Sequence, residues 1–225
     1  MSNFSVKITV AVLICLMAAS CKKDNDGPTI DLASGLYTWL PFDGNKKDSL
    51  GNENNISVSS LGTAMIKDRK GTPDHAIFFD GVKGEIKYGN ITWPAGLLTV
   101  ACWVKKANDL QQLSFITAEN FEFGMFQDLG AMSFLVRKDN NLLYPATIEI
   151  GTEWTHLVAT YDSHEIRFYV NGEFKASLAV EVSLGYTESL ILGFSDGAHW
   201  RGNLDDMRIY GRVLDIAEIK ALASL

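Results

Sequence analysis

From residue 35 onward, short apolar runs alternate with Gly, Asn and Asp turns, the punctuation of an antiparallel β protein. Gly35 to Phe42 reads as a strand ending at the turn Asp43-Gly44, and His75 to Phe79 as one ending at Asp80-Gly81. Leu98 to Val104 divides into two faces, with Val100, Cys102 and Val104 on one and Thr99, Ala101 and Trp103 on the other. Further strands are expected at Phe121 to Phe126, Met132 to Val136, Trp154 to Tyr161, Ile166 to Val170, Glu173 to Ala176, Leu190 to Phe194 and Leu204 to Tyr210. Asn171-Gly172 is a hairpin signal, because a type I′ turn needs two residues at positive φ. Asn45 to Asn55 reads as a long loop between strands. The pattern predicts one helix, at the C-terminus. There Asp215 caps, Glu218 falls three residues later, and Ile216, Ile219 and Leu222 form a stripe. Many short strands and one helix predict two packed β-sheets.

The first residues are patterned differently. Ile8 to Ala19 is a short apolar run preceded by Lys7, shorter than the roughly 17–25 residues that span a bilayer. Small residues, Ala18, Ala19 and Ser20, precede Cys21, and Lys22, Lys23, Asp24 and Asp26 follow it. This resembles a bacterial lipoprotein signal, in which the mature chain begins at a lipid-modified cysteine. The resemblance implies a signal peptide over residues 1–20, lipidation of Cys21, a polar tether over 21–34 and a folded domain over 35–225. It also implies a lipid-anchored protein outside the inner membrane, at the outer membrane or the cell surface. The lipid would then be the protein's only hold on a membrane.

Charge and cysteine content narrow the partners. The chain has a formal net charge of −7, a surface that repels phosphate backbones, so nucleic acid is excluded as a partner. Of the three cysteines, Cys15 leaves with the signal and Cys21 carries lipid. Cys102 is left alone on an apolar strand face, the setting of a small buried hydrophobe rather than a nucleophile.

Six segments in order carry a family resemblance. They are Trp39-Leu-Pro-Phe42-Asp43-Gly44-Asn45 with Asp48-Ser-Leu-Gly51-Asn52, then Ile77-Phe-Phe-Asp80-Gly81, then Leu98-Thr-Val-Ala-Cys-Trp103-Val-Lys105. Trp154-Thr-His156-Leu-Val-Ala-Thr-Tyr161-Asp162, Ile166-Arg-Phe-Tyr169-Val-Asn171-Gly172 and Gly202-Asn-Leu-Asp205-Asp206-Met-Arg-Ile-Tyr210 complete the set. Together they resemble laminin G-like, concanavalin A-like domains over roughly residues 35–223. The resemblance implies an all-β jelly-roll sandwich of two curved antiparallel sheets, with Trp103, Trp154 and Tyr169 filling or bordering the core. It further implies a structural Ca2+ near the first and last strands, with Asp43 and Asp205 as metal ligands. Read from the residues alone, Asp43 starts a turn and Asp205 bonds neighbouring amides.

Catalytic chemistry is not written in the sequence. Glu119 and Glu122 stand three apart with no third acid in register, and His75, His156, His164 and His199 show no metal spacing. No catalytic residue is assigned. Trp93, Tyr144 and Phe123 are the candidate ligand-binding aromatics, since sugar rings stack on aromatic faces. The expectation is a non-catalytic binding module that recognises carbohydrate. A protein–protein adhesion or assembly module is the alternative, with an extracellular protein as partner. A glycan hydrolase with an unrecognised acid pair is the second alternative.

Overall fold

The computed structural model describes residues 30–51, 56–58, 61–92, 96–107, 114–119, 121–126, 131–138, 141–182, 184 and 187–225. The first sheet contains β1 (Leu36–Leu40), β3 (Thr63–Ile66), β4 (Ala76–Asp80), β6 (Leu98–Lys106), β12 (Thr155–Tyr161), β13 (Glu165–Val170), β14 (Glu173–Ala179) and β18 (Arg201–Tyr210). The second contains β2 (Ile56–Val58), β5 (Ile86–Thr92), β7 (Ser114–Thr117), β8 (Phe121–Phe126), β9 (Ala131–Lys138), β10 (Asn141–Leu143), β11 (Ile148–Glu149) and β15 (Thr187–Leu192). A small ribbon, β16 (Phe194–Ser195) with β17 (Ala198–His199), precedes β18, and α1 (Ile216–Ser224) follows it.

The first sheet runs β14-β13-β12-β6-β18-β4-β3, with β1 also pairing β18. The second runs β10-β9-β8-β7-β15-β5-β2, with β11 on β9. All these pairings are antiparallel. The two sheets bury one continuous core, in which Val100, Cys102 and Val104 meet Phe115, Phe123 and Phe134. This is the expected sandwich. Cys102 is buried and free, and burial pushes its thiol far above the usual range, so it packs as a hydrophobe.

Outside the sandwich, α1 covers part of the outer face of the first sheet. Ile219 and Leu222 pack on Ala101, Val158 and Tyr210. The capping box forms as the sequence predicts, with Asp215 accepting from Glu218 N and Glu218 accepting from Asp215 N. Residues 31–34 also dock here. Arg212 donates to the Asp31 and Ser34 carbonyls, and the Tyr210 hydroxyl to Leu32 O. The end of the tether expected from sequence is therefore part of the domain. Among the described residues no helix is long and apolar enough to cross a membrane.

The expected strand Leu190 to Phe194 is broken. Gly193 takes φ +78°, ending β15 and turning the chain into the ribbon. It also lies against the aromatic centre of the core, where Phe79 and Phe115 flank the fully buried Trp200 at ring distances of 5.9 and 5.2 Å. A Cβ on Gly193 would fall 2.2 Å from Phe79 Cδ1. Gly197, at φ +83°, has nothing within 4 Å of the same position. Gly193→Ala should therefore cost about 2–4 kcal/mol, from overpacking added to backbone strain. Gly197→Ala should cost only about 1–2 kcal/mol, from strain alone. Urea unfolding of both variants checks this; equal losses would contradict the packing argument.

Candidate functional site

Strand β18 changes partner along one side. Arg201 to Leu204 pair with β4, and Met207 to Tyr210 pair with β1. On its other side the register to β6 slips between Asp205 and Arg208, where Asp205 faces Trp103 and Arg208 faces Ala101. One extra residue thus sits in β18, and Asp206 takes φ +45° to accommodate it. Leu204 and Met207 are both core residues, so the two between them are spared the interior. An unbroken strand would turn every second side chain inward. The bulge instead presents two consecutive carboxylates on the outer face.

A cavity of about 360 Å3 opens at this point, where β1 leaves the sheet and β4 enters it. Its volume lies at the small end of ligand pockets, which run roughly 300–1,000 Å3. Trp39, Pro41 and Asp43 line it from the β1 side, Arg69, Lys70 and His75 from the loop before β4, and Asp205, Asp206 and Arg208 from β18. Phe42, at φ +57°, turns into the core between Pro41 and Asp43.

The polar groups are already ordered. Trp39 Nε1 donates to Asp206 Oδ1 at 2.7 Å, and Arg208 donates to both Asp206 oxygens at 3.1 and 3.2 Å. Arg69 donates to Asp205 Oδ2 in a close contact. Each guanidinium also lies on an indole, Arg208 on Trp39 at 4.9 Å and Arg69 on Trp103 at 4.7 Å. Desolvation and hydrogen bonding together fix these side chains, which lowers the entropy lost when a ligand meets them.

Under Arg69 lies a cross-strand row. Asp205, Trp103 and His156 are directly paired on β18, β6 and β12. His156 bonds Asn171 through its backbone at 2.9 and 2.8 Å. Its ring lies 5.1 Å from Trp103, and Nδ1 is buried without a hydrogen-bond partner among the described residues. Burial, reinforced by the Arg69 and Arg208 charges, pushes His156 down to about 3, so it remains neutral. Burial pushes Asp205 up to about 7, opposed by Arg69 and assisted by Asp206.

Asp43 and Asp205, expected from the resemblance to converge, do line one cavity. Each meets a nitrogen rather than a metal-like oxygen set: Asp43 contacts His75 Nδ1 at 2.7 Å, and Asp205 contacts Arg69. Calcium needs six to eight oxygens. Among the described residues no group of three or more His, Cys, Asp or Glu side chains is placed to hold a metal, so these side chains as placed do not fit Ca2+. Phe123 is fully buried among Phe115, Phe134 and Phe168 and offers no face to a ligand. Tyr144 is 41% exposed, on the other sheet's side, after β10. Trp93 and Cys21 lie outside the described residues. Of the aromatics expected to fill or border the core, Tyr169 borders the cluster under α1, and Trp103 lies on the outer face of the first sheet under Arg69.

Sequence reasoning missed Trp39, Arg69 and Arg208 as site residues. The legible signal was the Asp205-Asp206 doublet, which interrupts the alternation of an otherwise regular strand.

The family model of the concanavalin A-like lectin/glucanases superfamily matches residues 80–220. No curated protein matches the sequence. Among solved structures, the fold is similar to domain 4 of AbnA, a GH43 extracellular arabinanase from Geobacillus stearothermophilus, in complex with arabinotriose. The identity is 20% and the TM-score 0.63, covering 84% of this chain and 98% of that one. It is also similar to the binding domain of botulinum neurotoxin DC in complex with SialylT, at 13% identity and TM-score 0.67, covering 85% and 51%. The binding domain of botulinum neurotoxin serotype D gives 12% identity and TM-score 0.70, covering 84% and 51%. The chain thus spans about half the length of the neurotoxin domains. At these identities the likeness is one of fold.

The two shifted groups act on stability in opposite directions. Asp205 holds its proton more tightly folded than unfolded, so its contribution is complete below about pH 4 and is lost as pH rises towards 7. His156 contributes above about pH 6.5 and loses that contribution as pH falls. Asp205→Asn removes only the first effect. Unfolding free energies at pH 4.5 and 7.5 should show the variant gaining on the wild type as pH rises. A pH-independent difference would contradict the shift at Asp205.

Proposed function

Because the chain belongs to the concanavalin A-like lectin/glucanases superfamily, we propose that it is a non-catalytic carbohydrate-binding module, held outside the inner membrane by lipid on Cys21. The cavity at the β18 bulge carries this reading. Sugars present hydroxyls that both donate and accept, and apolar C–H faces. Lys70, His75, Asp43 and the Arg208–Asp206 pair offer matching charged hydrogen-bonding groups, and the Trp39 indole lies beside them. A preformed pocket with few convergent polar groups is the usual form of a small-ligand site. The complex of AbnA domain 4 with arabinotriose, a domain of similar fold and size, supports a carbohydrate ligand.

The Asp205–Asp206 pair itself does not suit hydrolysis. Glycosidases place two carboxyls on opposite sides of the scissile bond, roughly 5–9.5 Å apart. Asp205 and Asp206 are adjacent on one strand, so both approach a ligand from the same side. Arg69 and Arg208 further occupy their oxygens.

The test uses the mature chain, residues 21–225, with Cys21→Ser, screened on a glycan array and titrated with arabinotriose and with each array hit. At least one glycan should bind, in calcium and in chelator alike. Trp39→Ala and Asp206→Ala should each weaken it tenfold or more, about 1.4 kcal/mol. Binding of no glycan, or equal binding by both variants, would contradict the reading. Independently, mass spectrometry of the membrane-associated protein should place the mature N-terminus at an acylated Cys21. An unmodified or differently placed N-terminus would rule out the anchor.

A further inference from the structure

The outer face of the second sheet carries a separate polar cluster. On β8, Phe121 and Phe123 enter the core while Glu122, between them, points the opposite way. Yet Glu122 is only 3% exposed. Its carboxylate accepts from Ser114 Oγ and from Arg137 in close contacts, and from Ser195 Oγ at 3.3 Å. Gly124 makes this possible, since a Cβ there would fall 2.7 Å from Ser114 Oγ and 3.1 Å from Leu135 Cδ1. Opposite Gly124 stands Ser133, fully buried, with an Oγ that has no hydrogen-bond partner among the described residues.

A buried carboxylate is costly, and a hydrophobic residue of similar size would often serve stability better. What Glu122 achieves is the placement of Arg137. One guanidinium amine is bound to Glu122, while the side chain stays 40% exposed. Its remaining N–H groups have no partner among the described residues. An arginine clamped at one end loses little further freedom when its open edge meets a ligand, and the planar fork matches a carboxylate in particular. The neighbouring strand brings Leu142 into register with Arg137, and the exposed Tyr144 lies two residues further on.

We propose that the exposed Arg137 side chain, positioned by Glu122, binds the carboxylate of an acidic sugar at the second sheet, apart from the cavity at β18. This rests on the reading of the chain as a glycan-binding module. Arg137 contacts the ligand directly, and Glu122 is a positioning residue. Tyr144, two residues beyond Leu142, supplies a ring on the same side.

The probe is trigalacturonate, paired with its neutral methyl ester, titrated into the mature chain with Cys21→Ser. The acid should bind at least tenfold more tightly than the ester. Arg137→Ala should abolish that preference, and Arg137→Lys should reduce it severalfold by losing the fork. Glu122→Gln should lower the acid-over-ester ratio while leaving ester affinity unchanged, which general loss of structure would not do. Trp39→Ala should leave the ratio intact. Equal affinity for acid and ester, or an unchanged ratio in Arg137→Ala, overturns the proposal while glycan binding at the cavity stands. Failure to bind any glycan, on the array or in titration, overturns both.

Discussion

One extra residue in β18 organises this molecule. The strand is central to the first sheet and must satisfy β6 on one side while passing from β4 to β1 on the other. A regular strand would keep its side-chain alternation through that junction and turn one of two adjacent aspartates into the core between the sheets. The left-handed turn at Asp206 absorbs the mismatch. Sheet continuity and an outward-facing acidic pair are therefore consequences of one backbone event. The bulge needs its own support, because positive φ is unfavourable for a non-glycine residue. Trp39 and Arg208 supply it by hydrogen-bonding the Asp206 side chain.

Two outer faces with different side-chain arrangements follow from this architecture. The first sheet is covered partly by α1 and partly by the Arg69 loop, which leaves a bounded cavity between them. The second carries a clamped arginine above a buried glutamate. In both places an arginine is held by a carboxylate before any ligand arrives. Such pairs add little net stability, because desolvation offsets most of the attraction. Their consequence is geometric: the guanidinium stays in one orientation, next to an indole in one case and exposed in the other.

The sandwich was legible because its strands alternate cleanly. Val100, Cys102 and Val104 turned inward as their spacing required, and the capping residues of α1 stood where Asp215 and Glu218 implied. The strands that sequence did not reveal lack that pattern. Ile86–Thr92 contains Gly89 and Asn90, and Ser114–Thr117 is too short to show a period. The site was less legible because it is assembled from segments far apart in the chain. Trp39, Arg69 and Asp206 meet only when β18 joins β1 and β4. The residues alone read Asp205 as bonding neighbouring amides, and the family resemblance reads it as a metal ligand; neither points to the arginine from the loop before β4 that reaches it. Phe123 illustrates the converse error. Its ring is an attractive sugar platform in isolation, and its even spacing with Phe121 sends both into the core.

The indole Nε1–H of Trp39 reports most directly on whether the bulge forms a ligand site. Its hydrogen bond to Asp206 couples the ring to the cavity floor. A nitrogen–proton correlation spectrum, assigned with Trp39→Phe, should show this resonance move and saturate with the affinity of a bound array glycan. If the glycan binds while that resonance stays fixed, the cavity at the bulge is not where this protein holds its sugar.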